Sequence, residues 1–272
     1  MRRSEPATAD GPFPMVVGDV RVHPLLDGVM PMPLSVLYPD VPEAVWRSIS
    51  ADLTADGRLT VPYGGFLAVD SSGTAVVIDT GGGPTPAPLP DGSSPVRFGE
   101  LPSALSSLGV GVEEVDLVVL THFHPDHIGW AAVDGAPFFP NASYYVHERE
   151  WATLDTEHEA HEALQPIAPQ LRTWSGAQAA PLSWLSLHHA PGHSPGNTVV
   201  MVSDVERGDE LAVVGDLFHH PAGMAHPSWR CGFDADVEAA ARRRTHWVDR
   251  LRAAGTPAVS SHFPGMKPLV TF

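Results

Sequence analysis

Apolar and polar residues alternate through MVVGDVRVHPLLDG (Met15–Gly28), the period of a half-buried strand. A hairpin is predicted in GGFLAVDSSGTAVVIDTGGG (Gly64–Gly83), where Phe66–Val69 and Ala75–Ile78 flank a Ser-Ser-Gly turn. Between them, DVPEAVWRSISADL reads as a helix with Pro42 near its start and Val45, Trp46 and Ile49 on one face. GPTPAPLPDGSSPV is a Pro/Gly-rich loop of the kind that lies on a surface or over a site. ELPSALSSLGVGVEEVDLVVLTH predicts a short helix, a glycine stop and a fully buried strand, Val115–Leu120. ASYYVHERE reads as strand into helix, and Trp151–Trp174 as mixed helix and loop. LSLHHAPGHSPGNTVVMVSD and DELAVVGDLFHH give three more strands, and PAVSSHF a last one. Before that last strand, Asp236 caps a helix in which Val237, Ala240, Ala241, Trp247, Val248 and Leu251 share a face, and Gly255 ends it. No fixed-period repeat and no interdomain linker interrupts the pattern, so one domain over residues 1–272 is expected, with 1–14 a flexible arm.

Immediately beyond the buried strand stands THFHPDHIGW, with His122, His124, Asp126 and His127 within six residues. Alternate residues of an extended segment point the same way, so His122 and His124 can face one ion together. Pro125 stiffens the turn that follows and re-aims Asp126 and His127 toward a second ion. Imidazoles with carboxylate suit zinc or a related first-row divalent ion; Mn2+, Fe2+ and Co2+ are alternatives. Four ligands cannot close two coordination spheres. The remaining candidates each lie at a predicted strand end: His193 in APGHSPGN, Asp216 in VVGDLF and His262 in VSSHFPG. One sphere is then His122, His124 and His193, the other Asp126, His127 and His262, with Asp216 able to bridge them. Strand ends are where sheet proteins build sites.

Composition narrows the partners. A chain that is 43% hydrophobic and 18% charged is of the ordinary globular type, and no window approaches the roughly 18 apolar residues of a membrane span. The net charge of −16 argues against a nucleic-acid partner, since phosphate neutralisation needs clustered Lys and Arg. Cys231 is the only cysteine, which excludes an intrachain disulfide and Cys-rich zinc sites and points to a reducing, cytoplasmic setting. MRRSEPATADGPFP lacks the apolar segment of a secretory signal. His188, His189, His220 and His226 fit no role and are expected at the surface or behind the ligands. The Arg242-Arg243-Arg244 run reads as the solvated face of a helix, with Glu238 placed i,i+4 to Arg242.

Taken together, His-x-His-x-Asp-His, PGHSPGN, the later GD and the final histidine, in that order, resemble the metallo-β-lactamase-fold hydrolases over about two thirds of the chain. That resemblance implies an α+β fold, a four-layer αββα sandwich with two metals at one edge of the paired sheets. It also implies that Asp79 of IDTG orients a metal ligand, a role the metal chemistry requires of some residue. Two ions roughly 3.5–4 Å apart generate hydroxide near neutral pH and polarise the oxygen of the bond it attacks. Asp126 or a metal could then serve the leaving group.

Within the family, THFHPDHIGW, GDLFHH and AVSSHFPG look like the branch of N-acyl-homoserine lactonases and methyl parathion hydrolases. The best-known lactonases carry a tyrosine three residues after the bridging aspartate. Here that position is His219, as in the phosphotriesterase-like members. His219 is expected as a catalytic residue at the mouth of a hydrophobic pocket formed by Trp130, Phe218, Met224 and Trp229. The expected substrate is a small lactone or carboxylic or aryl ester. Alternatives are a phosphotriester, a glutathione-type thioester and, from another class, the chemistry of a mononuclear-iron sulfur dioxygenase. A homodimer is compatible with the sequence; membrane and nucleic-acid partners are not expected.

Overall fold

The computed structural model describes residues 13–49, 53–85, 92, 95–154 and 160–270. The strands are, in chain order, β1 (Met15–Val17), β2 (Val20–Pro33), β3 (Arg58–Val69), β4 (Ala75–Ile78) and β5 (Leu117–Val119). A small ribbon, β6 (Ala132–Val133) and β7 (Ala136–Pro137), precedes β8 (Ser143–His147) and β9 (Leu171–Trp174). The second half adds β10 (Gln178–Leu182), β11 (Leu185–His189), β12 (Thr198–Asp204), β13 (Asp209–Val213) and β14 (Ala258–Val259). The helices are α1 (Leu34–Leu37), α2 (Glu43–Ile49), α3 (Leu101–Ser107), α4 (Pro125–Ile128), α5 (Glu148–Trp151), α6 (His161–Leu164), α7 (Pro221–Ala225) and α8 (Val237–Ala254). One sheet runs β1-β2-β3-β4-β5-β8-β9 and the other β10-β11-β12-β13-β14.

Strand alternation builds the layers. Val76, Ile78, Leu117 and Val119 point toward Val200, Val202, Leu211, Val213 and Val259 in a core between the two sheets. Their neighbours Ala75, Val77 and Val118 face the opposite way, onto Leu101, Leu105 and Leu164. On the far side, Val199, Met201, Ala212 and Ala258 pack on Trp247, Val248 and Leu251 of α8. Period-2 strands buried on both faces therefore give helix, sheet, sheet, helix, the four-layer αββα arrangement of an α+β fold. Parallel pairing of β4-β5-β8 and of β13-β14 puts the carboxyl ends of both sets at sheet edges, and the site grows from these ends.

A buried acid ties this framework to the site. Asp27 is the extra residue of a bulge where Leu26 pairs with Gly64 and Gly28 with Tyr63. Its Oδ2 accepts the N–H groups of Gly82 and Gly83 at 2.8 and 3.1 Å, and its Oδ1 those of Leu101 and the Trp130 indole, both at 2.9 Å. One carboxylate thus joins β2, the loop after Asp79, the start of α3 and the segment behind His127. Gly129 makes the last approach: a Cβ there would stand 2.0 Å from the Gly82 carbonyl carbon.

The structure departs from the sequence pattern in several places. Met15–Gly28 is two strands, not one, because Gly18 takes a left-handed turn at φ 60° and the chain folds back. In α2 only Trp46 is buried; Val45 and Ile49 are exposed, so the apolar face is narrower than predicted. The region Trp151–Trp174 ends in β9, and β10, whose QAAPL does not alternate apolar with polar, escaped the pattern altogether. Of the expected arm, residues 1–12 lie outside the described residues, while Phe13 packs against the inter-sheet core. Most of GPTPAPLPDGSSPV also lies outside them.

Asp27→Ala should cost about 3–5 kcal/mol, because four N–H donors lose one buried acceptor. Denaturant unfolding monitored by circular dichroism checks this; a loss under about 1 kcal/mol would mean that water replaces the carboxylate.

Candidate metal centre

Every histidine and aspartate of the sequence-derived ligand set converges at one end of the sheets. Asp79 follows β4, His122 to His127 follow β5 and run into α4, His193 lies between β11 and β12, Asp216 follows β13 and His262 follows β14. His122, His127, His193, Asp216 and His262 are buried; His124 and Asp126 are partly open.

Asp216 lies between two groups. Its Oδ2 is 3.5 Å from His122 Nε2 and 3.3 Å from His193 Nε2, and the nitrogens of His124 and His193 stand 2.9 Å apart. Its Oδ1 is 3.1 Å from His127 Nε2 and 3.0 Å from His262 Nε2, with Asp126 Oδ2 at 3.8 and 3.5 Å from the same two nitrogens. His122, His124, His193 and Asp216 form one cluster of candidate ligand atoms; Asp126, His127 and His262 form another.

The hydrogen-bond network fixes which nitrogen each ring presents. His127 Nδ1 donates to Asp79 Oδ2 at 2.9 Å, and His262 Nδ1 donates to the Pro62 carbonyl at 2.9 Å. The Thr121 hydroxyl donates to Asp79 Oδ2, so at 3.0 Å it accepts from His122 Nδ1. The Nε2 lone pairs of His122, His127 and His262 are thereby left pointing inward. Those of His127 and His262 face each other at 3.2 Å, beside an Asp216 Oδ1 with no hydrogen-bond donor. Converging lone pairs and carboxylate oxygens repel unless positive charge lies among them. The donor set therefore fits divalent cations.

Electrostatics say the same. Burial would raise the Asp216 carboxyl, but His127, His262 and His219 hold it well below the usual carboxylate range. Burial opposes charge on His127 and His193, yet Asp216 lifts both well above the ordinary histidine value. His122 is pushed well below it by burial and by His127, and His124 to about 3 by burial and His193. Protons on His127 and His193 occupy positions that a cation would take, so metal uptake and proton release are coupled.

Several supporting residues were not legible as such. Glu150, buried in α5, accepts from the Phe123 N–H at 3.0 Å, the Ser194 hydroxyl at 2.7 Å and the Gly196 N–H at 2.7 Å. It clamps the His122–His124 segment to the His193 loop. Asp234 Oδ1 lies 3.5 Å from His193 Nδ1, and Asp234 is held in turn by Arg244 Nη1 at 3.0 and 3.2 Å. Arg244 is buried within the inner stripe Ala240, Trp247, Val248 and Leu251, not on the solvated face expected for the Arg242–Arg244 run. Spacing held the signal: 244 is four residues from both 240 and 248. Gly192 lets this helix approach, since a Cβ there would meet the Ala240 nitrogen at 2.3 Å.

His219 lies within the cluster instead of at a pocket mouth. It is 4% exposed, its Nε2 is 3.0 Å from Asp216 Oδ2, and its ring stacks on His262 at 5.1 Å and 3°. Cys231, outside every motif, is buried with Sγ 3.8 Å from His219 Nε2. Burial opposes charge on both, but their mutual attraction raises His219 to about 10 and lowers Cys231 to about 6. Of the four histidines expected at the surface or behind the ligands, His188 and His220 are buried.

Three of the four expected pocket residues offer no surface to a ligand. Trp130 is buried on Phe138 and bonded to Asp27, while Phe218 and Met224 belong to the core under α8. Only Trp229 keeps partial exposure, in an aromatic group with Tyr38 and Trp46. Phe233, from the same loop, lies 6.4 Å from the His124 ring and is half-buried. The strand-end candidates converge, whereas three of the four apolar residues next to a motif belong to the core.

Comparison with known proteins agrees with this geometry. A probable metal-dependent hydrolase from Staphylococcus aureus superposes with a TM-score of 0.81 at 20% identity, covering 92% of this chain and 91% of that one. AidC, a dizinc quorum-quenching lactonase, gives 0.79 at 24% identity, covering 93% and 91%. The hydrolase AbOPH of the β-lactamase superfamily gives 0.77 at 24%, covering 94% and 91%. These likenesses establish the fold. A stretch of 119 residues is 29% identical to the uncharacterized protein C03F11.2 of Caenorhabditis elegans; it makes up 43% of this chain and only 27% of that relative. The family profile of the metallo-β-lactamase superfamily matches residues 66–248, which carry six of the seven candidate ligands and Asp79. With that match over most of its length, the chain belongs to the metallo-β-lactamase superfamily.

Proposed function

We propose that this chain is a hydrolase of lactones or carboxylic and aryl esters that works with two divalent cations, zinc foremost. The observation that carries the reading is Asp216, whose two oxygens face two separate ligand groups within 3.0–3.5 Å. His122, His124 and His193 would hold one cation, Asp126, His127 and His262 the other, and Asp216 both. Bound there, the cations supply a nucleophile from water at neutral pH and polarise the bond to be cleaved.

The chain's own groups do the rest. Asp79, Thr121 and the Pro62 carbonyl engage the outer nitrogens of His127, His122 and His262, which leaves their inward nitrogens to face the cations. Asp126, whose side chain is 26% exposed, is the acid of the cluster most open to a substrate. Burial raises its pKa, but His127 and His262 bring it below the ordinary carboxylate value, so it starts as a proton acceptor. It would take a proton from the attacking water and pass it to the leaving alkoxide. His219 holds Asp216 Oδ2 from the side and would keep the carboxylate in its bridging orientation. Phe233, half-buried beside His124, and Trp229 of the same loop would receive an uncharged acyl or aryl group.

Among the described residues no helix is long and apolar enough to cross a membrane. A reducing, cytoplasmic setting, with Cys231 kept reduced, belongs to the proposal; a homodimer is compatible with it.

Asp216→Asn keeps the shape and removes a charge that two cations would share. Hydrolysis should fall at least about 100-fold, with loss of metal on gel filtration. Full activity with unchanged metal content would remove Asp216 from the ligand set.

A screen of the zinc-loaded protein should rank lactones and aryl esters first, phosphotriesters lower and glutathione thioesters and β-lactams last. His219→Ala should reduce kcat more than it raises KM, as expected of a residue that positions Asp216 and leaves substrate binding alone. Thioesters at the top of the ranking would overturn the substrate assignment.

A further inference from the structure

A second cavity, of about 460 Å³, opens on the outer side of the second sheet and is lined by none of the seven candidate ligands. One wall is α8, whose Arg243, His246, Trp247 and Arg250 follow one another at i, i+3, i+4 and i+7 and so share a face. The other walls come from His147, Glu148 and Arg149 at the β8–α5 junction and from His188 and His189 at the end of β11.

The charge in this cavity is unbalanced. Seven arginines of the described chain, Arg47, Arg58, Arg97, Arg207, Arg230, Arg242 and Arg244, pair with acids. Arg149, Arg243 and Arg250, like Arg21 and Arg172 elsewhere on the chain, make no ion pair among the described residues, and these three meet at one cavity in a chain of net charge −16. Among the described residues Glu148 is the only acid in the lining. Arg250 lies over the Trp247 ring at 4.6 Å, which holds its guanidinium at the wall.

The histidines are arranged as neutral supports. His147 and His189 stack at 3.8 Å and 8°. His147 Nδ1 accepts the Arg149 N–H and its Nε2 donates to the Gly176 carbonyl, so that ring is neutral with both nitrogens engaged. His189 Nε2 donates to the Pro195 carbonyl, and His188 Nε2 meets the Ser186 hydroxyl. Burial, then Arg250, keeps His188 uncharged at neutral pH, down to about 4. Fixed positive charge thus comes from guanidinium groups, which match the oxygens of phosphate two at a time.

We propose that this cavity is a binding site for the phosphate group of a small phosphate monoester, separate from the metal centre. Three guanidinium groups neutralise a dianion, and the volume exceeds what a bare phosphate fills, leaving room for an organic substituent. The proposal stands or falls independently of the hydrolase reading.

Titration calorimetry of the metal-loaded, full-length protein at fixed ionic strength tests it, with glycerol 3-phosphate, inorganic phosphate and malonate as probes. Glycerol 3-phosphate should bind with saturation at one per chain. The double variant Arg243→Gln/Arg250→Gln should weaken that binding about 100-fold or more, and Arg149→Gln, on a different element, about tenfold. Aryl-ester hydrolysis should be unchanged in all three proteins. Tighter binding of glycerol 3-phosphate than of phosphate supports a monoester as the source, and equal binding supports the free anion at the same phosphate site. The site is refuted if no saturable heat appears below about 10 mM or if the variants, folded by circular dichroism, bind as the parent does. Malonate binding as tightly as both phosphates would also overturn it.

Discussion

A buried carboxylate facing buried imidazole lone pairs is the constraint on which this structure turns. Asp216 has about 2% of its surface open, and its oxygens lie 3.0–3.5 Å from five histidines, four of them candidate ligands whose inward nitrogens are bare or carry a displaceable proton. Such an assembly is unstable as a set of neutral groups and becomes favourable once cations lie within it. The sheets make it possible. Parallel β4-β5 and β13-β14 bring Asp79, His122, Asp216 and His262 to one edge from positions far apart in the chain.

Around that centre the same device recurs. Asp27, Glu150 and Asp234 are carboxylates that accept several donors each, and each joins segments remote in sequence. Asp27 holds the loop after Asp79, Glu150 the His193 loop, and Asp234 stands beside His193 itself. A carboxylate with two oxygens can satisfy several N–H groups at once, which no neutral side chain of that size can do. Loops that carry the candidate ligands are in this way pinned by acids outside the ligand set. Removing one leaves buried donors unpaired, so the metal geometry and the stability of the fold are linked.

The parts legible in the sequence were those governed by local rules. Period-2 apolar strands gave both faces of the inter-sheet core, and Asp236 with Gly255 bounded α8 to the residue. His-x-His-x-Asp-His and the three later strand-end residues were readable as candidates because those residue types at strand ends are what metal ligation would need. Long-range pairing was not readable. Arg244 looked like one of three solvated cations because its partner, Asp234, is ten residues away on a loop. Glu150 carries no signal of its own in ASYYVHERE, because the backbone groups it bonds are 27 and 46 residues distant. Trp130, Phe218 and Met224 were mistaken for pocket because proximity to a motif in sequence says nothing about which side of the strand end a side chain takes.

The central claim is that two cations lie on either side of Asp216. Crystals of the zinc-loaded protein, with anomalous scattering recorded at the zinc edge and metal content measured on the same sample, test it most directly. The account predicts close to two zinc ions per chain and two anomalous peaks, one against His122, His124 and His193 and one against Asp126, His127 and His262, with Asp216 touching both. A single peak confined to His122, His124 and His193, with one iron and no second metal in the purified protein, would contradict it.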